Sequence, residues 1–173
     1  MTGKVHAILG TTTAIGVAIC VKDFTLLNGV ISPWIGVLGS TAGSYFPDID
    51  ISQSKMGQKH KWISKHLTHR GITHTLLGPV ILTVLMVVLG FLPVLPSLIF
   101  GFVIGWLAHI FADMFNLKGV PLLWPFVKTK IHVASIKTAN KVHQIIFIIL
   151  WEVILWGLVL WHLGALQKIM AMI

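Results

Sequence analysis

"SLIFGFVIGWLAHIFADMFN", residues 97–116, decides how this chain folds. A helix needs about 20 apolar residues to cross a hydrocarbon core of about 30 Å, and this run supplies them. Its two ionisable side chains, His109 and Asp113, are four apart and share one helix face. By rise per residue, Asp113 lies roughly 25 Å along the helix from Pro96. That puts it near one membrane boundary, with His109 a turn deeper. Ionisable groups at such depth are costly and mark a functional site. One stretch therefore predicts both a transmembrane helix and a polar site at one end of it.

The rest of the chain agrees. It has 173 residues, 55% of them hydrophobic and only 10% charged, with a mean hydropathy of +0.88. A soluble domain carries about a quarter charged residues, so the expectation is a single integral membrane domain over 1–173. Hydropathy marks five spans, at about 5–21, 29–46, 74–92, 97–116 and 143–163. The fold class predicted is all-α, a polytopic membrane helical bundle of about five transmembrane helices. Gly36, Gly39 and Gly43 in the second span, and Gly101 and Gly105 in the fourth, have the spacing that lets membrane helices approach closely. The N-terminal stretch lacks an A-x-A-like cleavage site and reads as a retained first helix. The lone Cys20 lies in an apolar run, offers no disulfide or thiolate site, and reads as a packing residue.

Charge sets the orientation. Lys55, Lys59, Lys61, Lys65 and Arg70 separate spans two and three, and Lys118, Lys128, Lys130, Lys137 and Lys141 separate spans four and five. The other connections are nearly bare. The positive-inside rule places both basic loops and the N-terminus in the cytoplasm, and with five spans the C-terminus outside. The net charge of +8 thus reflects topology and attraction to anionic headgroups. No aromatic-interleaved motif accompanies the lysines, so no nucleic-acid partner is expected.

On this topology His6, Asp48, Asp50, His69, His74, His109, Asp113 and His143 all fall at the cytoplasmic ends of their helices. Spans were set by hydropathy and sidedness by lysines, so this convergence is independent information. Asp48 and Asp50 follow Pro47, which ends the second helix and leaves the carboxylates on a loop or fresh turn. Imidazoles and carboxylates together suit zinc or a similar divalent ion. Arg70 presents a fork suited to phosphate oxygens, or pairs with Asp48 or Asp50. Thr73 and Thr75 could each orient a ligand or cap the third helix, and for Thr73 the cap is the favoured reading. His60, His66 and His132 read as headgroup-facing residues, and His162 lies on the outer side. Glu152, mid-span, is a buried polar partner or part of a transport path.

The motifs "GSYFPDID", "HRGITHTLLG" and "HIFADMFNLKGVPLLWPF", in that order, resemble the YdjM-like family. These are LexA-regulated, inner-membrane proteins predicted to be metal-dependent hydrolases. The resemblance runs from His6 to about Phe126 and is loose beyond. It implies metal positions at His6, Asp48, His69, His74, His109 and Asp113, with Asp50, Arg70 and Thr73 inside the same motifs. His143 stands where an acidic residue is common in the family pattern, a departure that leaves it without an assigned role. A more distant likeness, in the order of His, Asp, His and HxxxD, is to the zinc-dependent phospholipase C and P1-nuclease group.

The resulting expectation is an inner-membrane, metal-dependent hydrolase acting on a phospholipid or lipid-linked phosphoester at the cytoplasmic face. The six residues above hold one or two divalent ions, zinc first, with manganese or magnesium as alternatives, and lower the pKa of a water that attacks phosphorus. Asp50 serves as general base or bridging ligand, and Arg70 stabilises charge on the phosphate. Pro121, Trp124 and Pro125 form an interfacial lip or an ordinary aromatic anchor. Rival readings are a metal-ion or proton transporter or channel, and a scaffold whose metal is structural.

Overall fold

The computed structural model describes residues 1–26, 29–67, 70–91, 95–164, 168 and 172. Helix α1 (Gly3–Cys20) leads to a short antiparallel pair, β1 (Phe24–Leu26) and β2 (Gly29–Ile31), in which Phe24 faces Ile31. Next come α2 (Pro33–Tyr45), a 3-10 turn (Phe46–Asp50) and two short helices, α3 (Lys55–Lys59) and α4 (Lys61–His66). A second 3-10 turn (Ile72–His74) precedes α5 (Leu77–Val88), followed by α6 (Pro96–Asp113) and α7 (Lys141–His162).

All five expected spans hold a helix, but three are long and apolar enough to cross a membrane: Gly3–Cys20, Pro96–Asp113 and Lys141–His162, and of the other two Leu77–Val88 is apolar but short. The other two are shorter, α2 with 13 residues and α5 with 12. At 1.5 Å per residue they reach about 20 and 18 Å, against the roughly 30 Å of a hydrocarbon core. Local chemistry sets these limits. Residues 29–31, expected in the second span, pair as a strand, and Pro33 starts α2 with its φ already helical. Pro47 removes a donor and ends the regular helix just before it. The start of the expected third span is the 3-10 turn that carries His74, and Gly90, at φ 72°, lies just past the end of α5.

The glycine spacing read from the sequence forms the tightest seam of the bundle. A Cβ at Gly39 or Gly43 would collide with the carbonyls of Leu98 or Phe102, and one at Gly101 or Gly105 with those of Gly36 or Ser40. Helices α2 and α6 therefore touch backbone to backbone. Helix α1 lies across the seam, where Ser40 Oγ donates to the Gly10 carbonyl at 2.8 Å. Helix α7 covers the far flank of α1. There Thr12 Oγ1 donates to Glu152 Oε1 (2.8 Å) and Trp156 Nε1 to Glu152 Oε2 (3.0 Å), so Glu152 is a satisfied polar link between two helices. The starts of α1 and α7 meet at one end of the bundle, joined by Thr2 and Gln144 (3.1 Å). Beside them a cluster of Val5, Leu9, Ala112 and Phe147 packs the base of that end.

Candidate metal centre

Each wall of the site is placed by a local device. The turn after α2 is pinned by Ser54 Oγ, which donates to the Asp48 carbonyl at 2.5 Å, and it buries both Asp48 and Asp50. Arg70 adopts a left-handed backbone, φ 59°, a conformation that costs a side-chain-bearing residue about 1–3 kcal/mol. It is held there by its own contacts. Its backbone N–H donates to Asp50 Oδ2 at 2.9 Å, Nη2 donates to Asp113 Oδ2 at 3.0 Å, and Nη1 donates to the Gly119 carbonyl. The bend at Arg70 turns the chain so that the next 3-10 turn points His74 inward, and Trp106 Nε1 locks that turn by donating to the Thr73 carbonyl at 2.6 Å.

Three imidazoles meet three carboxylates in this pocket. His109 Nδ1 lies 2.7 Å from the Ser44 carbonyl. A carbonyl only accepts, so Nδ1 carries the proton and Nε2 of the neutral ring presents a bare lone pair. That Nε2 is 3.7 Å from Asp48 Oδ1. His6 stacks on His109 with ring centroids 3.7 Å apart and 16° between planes, and its Nε2 is 3.3 Å from Asp113 Oδ1. His74 Nδ1 lies 3.2 Å from Asp50 Oδ2 and its Nε2 lies 3.6 Å from Asp113 Oδ2. Thr73 Oγ1 donates to Asp50 Oδ2 at 2.7 Å, so Asp50 stands behind His74 and fixes its ring. Burial pushes the Asp48 carboxyl above the usual carboxylate range.

Two groups have ligand atoms within 4.8 Å of one another: His6, His109 and Asp113, and Asp48, His74 and His109. The fit to a divalent cation rests on more than proximity. Among the described residues, Nδ1 of His6 and Nε2 of His109 are buried without a hydrogen-bond partner. Each such unmade bond costs about 1–3 kcal/mol, a penalty that coordination removes. The donor set of imidazole nitrogens and carboxylate oxygens is that of zinc and similar ions.

The structure thus brings together five of the six residues expected to hold metal: His6, Asp48, His74, His109 and Asp113. His69 lies outside the described residues. Asp50 and Arg70 are in the same pocket. The Arg70 side chain pairs with Asp113, while its backbone N–H donates to Asp50, one of the two carboxylates named as its alternative partners. Thr73 does not cap the third apolar helix but bonds Asp50, and Thr75 Oγ1 accepts from Gly78 N–H at 3.3 Å instead. His143 is exposed, as are His60, His66, His132 and His162. Pro121 is buried, whereas Trp124, Pro125 and Phe126 are exposed, Phe126 by 86%.

Sequence reading missed three members of the site. Asn116 Nδ2 donates to Asp113 Oδ1 at 2.6 Å, the Met1 amino group reaches the same oxygen at 3.1 Å, and the Ser44 carbonyl fixes His109. The i, i+3 spacing of Asp113 and Asn116 was a readable signal. Beside the cluster opens a cleft of about 400 Å³ whose walls include Asp48, Arg70, Asp113, Asn116, Lys118 and Thr138.

Comparison with known proteins agrees with this picture. Inner membrane protein YdjM of Escherichia coli is 47% identical over 87 residues, covering 46% of this chain and 43% of that protein, and YdjM of Shigella flexneri matches equally. The match thus spans less than half the length of these curated relatives. The uncharacterized protein YvsG of Bacillus subtilis is 30% identical over 129 residues, 72% of this chain and 74% of YvsG. No solved structure matches the chain. The profile of the YdjM inner membrane proteins matches residues 1–172, and the chain belongs to that family.

Proposed function

We propose that this protein is an inner-membrane, metal-dependent hydrolase acting on a phospholipid or lipid-linked phosphoester at the cytoplasmic face. The observation that carries the reading is the buried convergence of His6, Asp48, His74, His109 and Asp113 from four parts of the chain, with His6 Nδ1 and His109 Nε2 buried without a hydrogen-bond partner among the described residues. In this reading the N-terminal end of α1 faces the cytoplasm. The two shorter helices, α2 and α5, are embedded with the three long ones, giving five membrane segments whose basic loops share the site's side.

These five residues would hold one or two divalent ions, zinc first. Such an ion supplies Lewis-acid polarisation of a phosphoryl oxygen and a lowered pKa for water. The single lone pair of His109 belongs to both ligand groups, so only one ion can use it. Asp50 holds His74 in place, a role we prefer to general base because its Oδ2 already accepts from Thr73 and from the Arg70 backbone. Arg70 anchors Asp113 and offers positive charge at the cleft wall, where a phosphate oxygen would sit.

A metal-ion or proton transporter or channel ranks second. That role needs polar groups along the bilayer thickness. Glu152 is the deep acidic residue, and both its oxygens are engaged by Thr12 and Trp156.

Purified protein should carry stoichiometric metal by elemental analysis, and His109→Ala and Asp113→Ala should lose it. Full retention in both variants would remove the metal centre, and with it the proposal. Incubation with a panel of phospholipids should yield a phosphate-containing product. A metal-loaded protein that releases none from any of them would favour a structural ion.

A further inference from the structure

Asp48 is a wall of two cavities, not one. On one side lies a cleft of about 400 Å³ of mixed lining, the more polar of the two, with Arg70, Asn116, Lys118 and Thr138 beside Ile51, Leu117 and Ile136. On the other lies a chamber of about 330 Å³ lined by Thr2, Gly3, Lys4, Tyr45, Ser54 and Met56. The two differ in chemistry. The polar cleft carries the Arg70 side chain, which is 9% exposed, and whose Nε is buried without a partner among the described residues. The second chamber is walled largely by apolar surface, from the Tyr45 ring, the Met56 thioether and the bare backbone at Gly3. A Cβ at Gly3 would come within 3.1 Å of the Tyr45 ring, so the missing side chain keeps the chamber open.

The second chamber also lies at a telling height. It is level with the first turn of α1 and the last turn of α2, both at the site end of the bundle. Tyr45 is the chain's one tyrosine, and tyrosines favour the level where headgroups meet acyl chains. Met is the residue that adapts its shape to a flexible apolar guest.

We propose that Asp48 divides a two-chambered cleft, in which the polar chamber takes the phosphate of a phosphoester and the Tyr45–Met56 chamber takes the alkyl chain attached to it. This rests on the phosphoester reading above and narrows it. The substrate is an amphiphile bound across Asp48, with its ester linkage beside the His and Asp cluster. A wholly polar phosphoester would fill only one chamber.

The test is a binding measurement on the full chain, metal-loaded and held in amphipol, by calorimetric titration with inorganic phosphate and with hexyl phosphate, which stays monomeric. Hexyl phosphate should bind about ten-fold more tightly, the return expected from burying roughly two methylenes. Met56→Trp should bring the ratio of the two dissociation constants to near one, and Gly3→Val, which fills the chamber from α1, should do the same. Arg70→Gln should weaken both ligands together and keep the ratio. A wild-type ratio below two, or a ratio that survives both filling variants, would overturn the two-chamber assignment. Hydrolysis of lipid substrates with a ratio near one would leave the hydrolase reading standing and remove this one. The predicted ratios without hydrolysis of any phosphoester would do the reverse.

Discussion

Asp50→Asn separates an orienting carboxylate from a metal ligand. Asp50 Oδ2 accepts from the Arg70 backbone N–H at 2.9 Å and Thr73 Oγ1 at 2.7 Å, and lies 3.2 Å from His74 Nδ1. The amide keeps the shape and one acceptor oxygen but removes the charge. Hydrogen bonds to a charged group contribute about 1.5–3 kcal/mol and neutral ones about 1, so the grip on His74 slackens without being lost. Substitutions behind a ligating imidazole typically weaken metal binding about 10- to 100-fold, or roughly 1.4–2.7 kcal/mol. The expected result is a protein that still purifies with metal but yields it to a competing chelator at 10- to 100-fold lower strength, with His109→Ala as the metal-free reference. Metal affinity within two-fold of wild type would refute the orienting role, because His74 would then need no support from Asp50. Complete loss of metal would refute it from the other side, making Asp50 a ligand.

The remaining predictions concern proton competition, helix packing and the residues outside the cluster. Burial holds the Asp48 carboxyl above its usual range, so protons compete with an incoming ion there at a higher pH than at an exposed aspartate. Zinc binding should weaken as pH falls through that raised value, at a higher pH than an exposed aspartate would set, and chelator titrations over a pH series should show Asp48→Asn with a flatter profile. Without metal the sign for stability reverses. The fold favours the protonated form, so the contribution is fully present below the unfolded value of about 3.9 and is lost as pH rises through the raised one, visible as a falling melting temperature of the metal-free protein. Gly43→Ala should lower metal affinity as well as the melting temperature, by about 1–3 kcal/mol of overpacking, because the added methyl meets the Phe102 backbone one residue before the Ser44 carbonyl that orients His109. A lower melting temperature with unchanged affinity would uncouple seam and site. His143→Ala should leave metal content at the wild-type level, since that side chain is exposed. Glu152→Gln should do likewise while costing about 1 kcal/mol of stability at the α1–α7 contact, where the amide keeps one acceptor oxygen in place of the two that Thr12 and Trp156 use.

How much of this was legible in the sequence depended on what kind of signal carried it. Hydropathy located a helix at all five expected places, and one-sided lysines put His6, Asp48, His74, His109 and Asp113 at one end, where the fold assembles them. Helix length was not readable in the same way. Averaged apolarity runs smoothly through residues 29–46 and 74–92, whereas the backbone answers to Pro33, Pro47 and the turn at Ile72–His74, which shorten α2 and α5. Thr73 and Thr75 differ in role because the 3-10 turn rotates one toward Asp50 and the other toward Gly78, a difference of angle that spacing alone does not encode. The partner of His109 was out of reach for a deeper reason. It is a backbone carbonyl, which any residue at position 44 would provide, and its position is set by the seam in which Gly39, Gly43, Gly101 and Gly105 let α2 and α6 touch. The glycine spacing was visible and so was His109, but their connection is a distance between two backbones. The seam that packs the bundle therefore also fixes the tautomer of the residue shared by both candidate ligand groups: with α2 held against α6, the Ser44 carbonyl accepts from Nδ1–H of His109 and leaves Nε2 to face Asp48.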